Sequence, residues 1–101
     1  MVFERDNTIK MAIPAVRIAV VRILKSRYRF GQEEIAKRMG ITQAAVNKYL
    51  NGRYSGKTGK IMMRIKERGL DAKVAGMVAA GKRIPAINEQ IDRIAAGIGN
   101  K

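Results

Sequence analysis

The feature that most constrains the fold of this chain is the segment QEEIAKRMGITQAAVNKYLNG, residues 32–52. Ile35 and Met39 stand four residues apart, the spacing of apolar residues on one face of a helix. Gly40 suits the left-handed residue that ends such a helix, and Thr42 suits the N-cap of the next one. The segment therefore predicts two short amphipathic helices that cross around a tight turn.

The stretch before this segment predicts a longer helix. In PAVRIAVVRILKSRYRF, Pro14 is expected in the first turn, where its missing N–H group costs nothing. The stretch is too long for an ordinary strand. It would present Arg22, Lys25 and Arg29 on one face, either as a solvated surface or as part of an anion-binding one.

Helical spacing also continues to the C-terminus. We expect a helix in KIMMRIKER that ends at Gly69, and a helix in AKVAGMVAA that Asp71 caps and Gly81 follows. The last helix carries isoleucines at a 3-4-3-4 spacing, Ile84, Ile87, Ile91, Ile94 and Ile98. This seam can pack into the core of its own chain or against a second copy.

These patterns predict an all-α fold, a bundle of about five to six helices that contains a helix-turn-helix. We expect residues 1–60 to form the helix-turn-helix region with its N-terminal supporting helix. Residues 61–101 would complete the core and provide a dimerisation surface within 70–98. At 101 residues the two regions make a single domain.

Charge and composition narrow the function. The net charge is +13, and residues 17–60 hold 11 of the 21 basic residues but two of the eight acidic ones, so this segment carries +9. Such a balance favours a polyanionic partner. Without Cys or His, the chain has no zinc-cysteine site, no metal site of the usual kind and little means of acid–base catalysis. We expect a cytoplasmic protein that is not an enzyme and uses no cofactor, with no membrane-spanning segment.

The second predicted helix carries residues suited to reading bases. Gln43, Ala44, Asn47 and Lys48 remain outward when the apolar face is buried. Gln and Asn can bond to adenine, Lys can reach guanine or phosphate, and Ala can meet a thymine methyl group. An ordinary corner of two helices that binds nothing is the alternative explanation of the same pattern.

Residues 32–52 also resemble the DNA-binding unit of phage-repressor (Xre/Cro-type) helix-turn-helix proteins. Residues 14–53 are similar to a family of small archaeal helix-turn-helix transcriptional regulators. In this chain PAVR and a helix are followed by QEEIAKRMGITQAAVNKYL, which resembles the pattern of that family. Two positions depart from that pattern. Gly31 stands where Ser or Thr usually caps the first helix of the pair, and Asn47 stands where Ser is common.

The resemblance implies roles for individual residues. Gln43 and Ala44 would meet base edges, and Asn47 and Lys48 would extend that contact one turn further. Gln32, Asn51 and Thr42 would contact the DNA backbone, as expected when the N-terminal part of the second helix enters the major groove.

The stretch NGRYSGKTGK, residues 51–60, resembles a nucleotide-binding loop at Gly56, Lys57 and Thr58. Its glycines are one residue too close, and a helix rather than a buried strand precedes it. We therefore expect no nucleoside triphosphate here. Instead, a glycine-rich loop would bring Arg53, Lys57 and Lys60 to the phosphates of a duplex.

The leading functional hypothesis is a sequence-specific double-stranded DNA-binding protein, a transcriptional regulator that reads the major groove with residues 43–50. A homodimer is expected, because two half-sites multiply affinity and specificity, and so is association with the nucleoid. The alternatives are an architectural protein that coats DNA with little sequence preference, and an antitoxin-like module that docks a partner protein.

Overall fold

The computed structural model describes the backbone of residues 2–52 and 54–99 and the side chains of residues 10–52 and 54–98. Within these ranges the chain forms six α-helices and no strand, which confirms the predicted all-α class. The helices are α1 (Val2–Ser26), α2 (Gln32–Met39), α3 (Gln43–Asn51), α4 (Gly56–Glu67), α5 (Leu70–Ala79) and α6 (Ile84–Gly99). The expected division at residue 60 falls inside α4.

Helix α1 begins at Val2 and not at Pro14, so the predicted start was wrong. Packing explains the difference: Ala12 is fully buried and Met11 packs against the core, which holds the turn before Pro14 in helical form. Pro14 and Lys10 are both exposed. The Lys10 carbonyl, which loses its helical partner, can therefore bond to water.

The C-terminal end of α1 also differs from expectation. The helix ends at Ser26, and Arg29 lies in the loop with φ of 62°. Phe30 N–H bonds to the Leu24 carbonyl at 3.1 Å, and the Phe30 ring stacks on Tyr28 with centroids 5.9 Å apart. This compact aromatic turn takes Arg29 off the helix, so the prediction that it shares a helical face with Arg22 and Lys25 was wrong.

Helix α1 is the centre of the fold, because it packs against each of the other five helices. The core is aliphatic and every helix contributes to it. Fully buried examples, in chain order, are Val20, Leu24, Ile35, Val46, Ile65, Val74 and Ile91. The two helices predicted around Gly40 are thus held against α1 and do not form an isolated pair.

The isoleucine seam of α6 packs into the core of its own chain. Four of its five members are buried, Ile87, Ile91, Ile94 and Ile98, and α1 is the main neighbour of α6. Only Ile84, at the start of the helix, is exposed, at 38%. Of the two alternatives for this seam, the intramolecular one is therefore correct.

Helix α5 begins one residue before Asp71, which was predicted to be its cap. Gly69, with φ of 68°, occupies the cap position. The Asp71 carboxylate accepts a hydrogen bond from the Ala72 N–H at 2.7 Å, inside the first turn. Gly81, with φ of 81°, follows the helix as expected. In the ranges described, no helix combines the length and the apolar character that a bilayer crossing requires.

Candidate nucleic-acid interface

The turn between α2 and α3 has the predicted geometry. Gly40 adopts φ of 70° and ψ of 34°, and its N–H group bonds back to the Ala36 carbonyl. Ile35, Ala36 and Met39 bury one side of α2, and Val46 does the same for α3. The left-handed conformation at Gly40 reverses the chain within two residues, which sets the two helices across each other.

Thr42 begins the second helix. It has extended backbone angles, and its hydroxyl oxygen accepts a hydrogen bond from the Ala45 N–H at 3.0 Å. This is the predicted N-cap, and the hydroxyl hydrogen remains able to bond outward because the oxygen acts here as an acceptor. Gln43 and Ala44 follow in the exposed first turn of α3.

One side of α3 is exposed. Gln43, Ala44, Asn47, Lys48 and Asn51 all lie on it, opposite the buried Val46. The Asn51 side-chain amide donates a hydrogen bond to the Asn47 side-chain oxygen at 2.7 Å. This bond occupies the Asn47 oxygen and leaves its N–H groups available to another acceptor.

The glycine-rich stretch after α3 is largely helical, which corrects the predicted loop. Gly56, Lys57 and Lys60 lie in the first turns of α4. Ser55 is the cause: its hydroxyl accepts from the Thr58 N–H at 3.2 Å and caps the helix. The cap and the burial of Ile61 further along outweigh the low helix propensity of two glycines. Lys57 and Lys60 are both exposed.

Gly52 follows α3 directly and begins the short connection to α4. Its N–H bonds to the Lys48 carbonyl at 2.5 Å, and a Cβ atom added at Gly52 would overlap that oxygen. A cleft of about 300 Å³ lies between Lys48 at the end of α3 and Ser55 and Thr58 at the start of α4. The exposed end of α3 and the capped start of α4 thus form one continuous surface.

Tyr54 and Arg22 belong to this surface. Sequence reasoning offered Arg22 only as one member of a basic face of α1, and it did not include Tyr54. Tyr54 is 42% exposed, and the Arg22 guanidinium lies 5.4 Å from the centre of its ring. The serine before GKTG was a usable signal for the cap at Ser55, whereas the contact of Arg22 with Tyr54 joins distant parts of the chain. Arg53, predicted to contact phosphate, lies outside the described residues.

Gln32 is the first residue of α2 and is half-buried. Gly31 provides no side-chain cap there, and Glu33 and Glu34 stand in the first turn. The Arg38 guanidinium pairs with Glu34 at 2.5 Å, so Glu33 is the carboxylate that would oppose an anion at this helix end. The start of α4 has no acidic residue in its first turn.

Cations on α3 and α4 are free to meet an anion. Across the described part of the chain, the ion pairs are Glu34–Arg38 and Glu89–Arg93. Lys48, Lys57 and Lys60 have no acidic partner among those residues and are exposed. Within the same part of the chain, no group of three acidic side chains lies where it could hold a metal ion.

Comparison with known protein families identifies the same part of the chain. Residues 32–68 match the family described as Helix-turn-helix, a segment that includes the whole of α2, α3 and α4. Among curated proteins and solved structures, none matches this chain. The chain therefore contains a helix-turn-helix DNA-binding unit of the phage-repressor type.

Proposed function

We propose that the chain is a sequence-specific double-stranded DNA-binding protein, a transcriptional regulator that reads the major groove with α3. The observation that carries the proposal is the exposed side of α3. There, two amides, an alanine and a lysine are exposed beside the capped, cationic start of α4. A helix of this kind fits the major groove with its N-terminal residues against base edges.

Base contacts are assigned to Gln43, Ala44, Asn47 and Lys48. Gln43 is in the first turn, where it would make bidentate bonds to adenine, and Ala44 would pack on a thymine methyl group. The hydrogen bond from Asn51 occupies the Asn47 oxygen, which favours acceptor groups on the base that Asn47 contacts. Lys48 would reach guanine or a phosphate.

Backbone contacts are assigned to two helix ends. Thr42, Asn51, Lys57 and Lys60 are exposed around the junction of α3 with α4, and Arg53 is assigned from the sequence alone. Gln32 would contact a phosphate at the start of α2. Such contacts hold the register of the protein on the duplex without selecting sequence.

We further propose that two copies bind together, on half-sites about 34–36 Å apart. The buried isoleucines of α6 do not support an interface at that seam, so dimerisation would use another surface. A site without two related halves in the binding selection below would contradict this part of the proposal. Binding of this kind would associate the protein with the nucleoid.

The first experiment is selection of bound duplexes from a random pool. A reproducible motif is expected. A flat profile would instead support the architectural alternative, which the net charge of +13 favours.

The second experiment measures variants on the selected duplex. Gln43→Ala should weaken binding by about 1–3 kcal/mol and relax discrimination at one base pair. Lys57→Ala should weaken binding to all sequences alike and lower the slope of log K against log salt by about 1. Gln90→Ala and Lys73→Ala, on α6 and α5, are the matched controls and should leave binding unchanged. An unaltered base preference in Gln43→Ala would remove the base-reading assignment.

A further inference from the structure

A second surface of the molecule is an open groove between α1, α4 and the start of α5. Its volume is about 650 Å³, and Ile23, Met62 and Met63 form much of its apolar lining. This is within the range of sites that bind drug-sized molecules or several side chains of a partner. Apart from Gly59 at one end, its α4 residues lie beyond the capped turn at which the proposed DNA contacts are placed.

Met63 is the most exposed apolar residue of the groove lining. Its side chain is 64% exposed, more than any other large apolar residue in the described part of the chain. Met62 beside it is half-buried against the core. Flexible, polarisable methionines adapt to the shape of a partner.

The rim of the groove is cationic. Arg22 and Arg27 from α1 and the loop after it, and Lys66 from α4, line it, and none has an acidic partner among the described residues. The acidic residue of the groove, Asp71, is only 6% exposed, and one of its oxygens is occupied by the Ala72 N–H. The outer edge of the groove therefore presents positive charge to an incoming partner.

This combination discriminates among occupants. A second copy placed face to face would oppose the same three cations, a repulsive arrangement. A DNA backbone would use the cations but leave the methionines uncovered. An amphipathic helix with acidic residues satisfies both features, with its apolar side on Met62 and Met63 and its carboxylates beside Arg27 and Lys66.

We propose that this groove binds an acidic amphipathic helix of a partner protein. Helices α1 and α4 form the walls, in the helix-in-groove mode. The groove shares Arg22 with the surface at Tyr54, whereas its other two cations, Arg27 and Lys66, are not among the proposed DNA contacts. The inference does not depend on DNA binding, and it assigns the chain a second macromolecular partner.

The test uses the full chain and a fluorescent synthetic peptide of about 18 residues, long enough to form a helix, with leucines on one side and glutamates on the other. Fluorescence anisotropy at about 0.15 M salt measures affinity. A matched peptide carries lysine in place of every glutamate. Methyl NMR signals of labelled methionines report the location, since Met62 and Met63 should shift on binding while the buried Met39 should not.

We expect the glutamate peptide to bind and the lysine peptide to fail. Met63→Glu should weaken binding about tenfold or more, whereas Ala86→Glu, the same change in charge at an exposed site outside the groove, should not. Lys66→Glu should weaken binding of the glutamate peptide and strengthen that of the lysine peptide.

Three results would overturn the proposal: no binding of the glutamate peptide, equal binding of both peptides, or shifts away from Met62 and Met63. Concentration-dependent self-association that Met63→Glu abolishes would identify a second copy as the occupant instead. Displacement of the peptide by duplex DNA from the wild-type chain would identify the rim as a nucleic-acid surface. DNA affinity unchanged in Met63→Glu separates failure here from failure of the proposed function.

Discussion

Gly40 has a backbone conformation that residues with a side chain adopt only with strain. Its φ of 70° belongs to the left-handed region, where any residue with a Cβ atom is strained. An added Cβ would also approach the Ile84 side chain at 2.9 Å, although that side chain is flexible enough to move. The conformational strain is thus the larger effect at this position.

We predict that Gly40→Ala lowers the free energy of unfolding by about 1–2 kcal/mol. The matched control is Gly97→Ala, because Gly97 lies within α6 and a Cβ there meets nothing within 4 Å. That variant should gain about 0.5–1 kcal/mol, since alanine is the better helix former. Denaturant unfolding measures both. Changes of the same sign would contradict the assignment of strain to Gly40.

Gly31 is the weak position at the start of α2. It has the extended backbone of an N-cap, its φ is −75°, and it provides no side-chain hydrogen bond. A Cβ added there meets nothing within 4 Å. An open N–H group at this helix end therefore lacks a side-chain acceptor because residue 31 is glycine, although there is space for a larger residue.

Gly31→Ser is expected to raise the free energy of unfolding by a few tenths of a kcal/mol, up to about 1 kcal/mol. The gain combines a new cap with a less flexible unfolded chain. The midpoint of thermal unfolding measures the change, and Gly31→Ala separates the two contributions because alanine cannot cap. A serine variant no more stable than the alanine variant would show that the cap does not form.

At the scale of elements, Arg38 joins three parts of the structure. Its guanidinium donates to Glu34 on α2 and to the Val78 and Ala79 carbonyls at the end of α5, at 3.1 and 3.3 Å. It also lies 4.6 Å from the centre of the Phe30 ring. Carbonyls at a helix end attract positive charge, and the Val78 carbonyl accepts from Arg38 in addition to the Gly81 N–H at 3.0 Å. Arg38 thus ties α2 to α5.

Replacing Arg38 by Met should lower the free energy of unfolding by about 1–3 kcal/mol, because two carbonyls lose a charged donor. Lys37→Met is the control: Lys37 is adjacent and exposed, and its replacement should change stability by less than about 0.5 kcal/mol. Urea unfolding measures both variants. Equal effects would mean that the Arg38 contacts add nothing beyond general surface charge.

The elements that sequence predicted well are those in which local signals agree. In α2 and α3, apolar spacing, the glycine turn and the threonine cap all indicate the same boundaries. Elsewhere packing decides against local preference. Burial of Ala12 carries α1 past Pro14, and the Ser55 cap makes a helix of a glycine-rich stretch. The first outcome depends on contacts with the rest of the fold, whereas the serine before GKTG was a local signal for the second.

The candidate site divides in the same way. The periodicity of α3 correctly predicted which side chains are exposed. It could not predict that Asn51 orients Asn47, or that Lys48 lies across a cleft from Ser55 and Thr58, because side-chain rotamers and the path through Gly52 are three-dimensional facts. Roles in binding DNA stay predictions until variants are measured.

At the scale of the whole molecule, the isoleucine seam provides the strongest test of the core. Ile91 is 1% exposed and Ile84 is 38% exposed on the same helix. Ile91→Ala should cost about 2–5 kcal/mol, and Ile84→Ala clearly less. Denaturant unfolding at several protein concentrations measures the free energy of unfolding of both variants. If the unfolding midpoint of the wild type rises with protein concentration and Ile91→Ala abolishes that rise, the seam joins two chains.

Helix α1 gives the molecule a further property. Its 25 residues extend for about 37 Å and contact every other helix, yet they precede the segment that matches the helix-turn-helix family. The DNA-binding unit is thus not expected to fold on its own when it is moved to another protein. Grafted onto another scaffold, residues 32–68 would need a new apolar surface in place of Val16, Val20 and Leu24. Recombination between residues 26 and 32 would separate residues 32–68 from α1, so the two segments are expected to be inherited together.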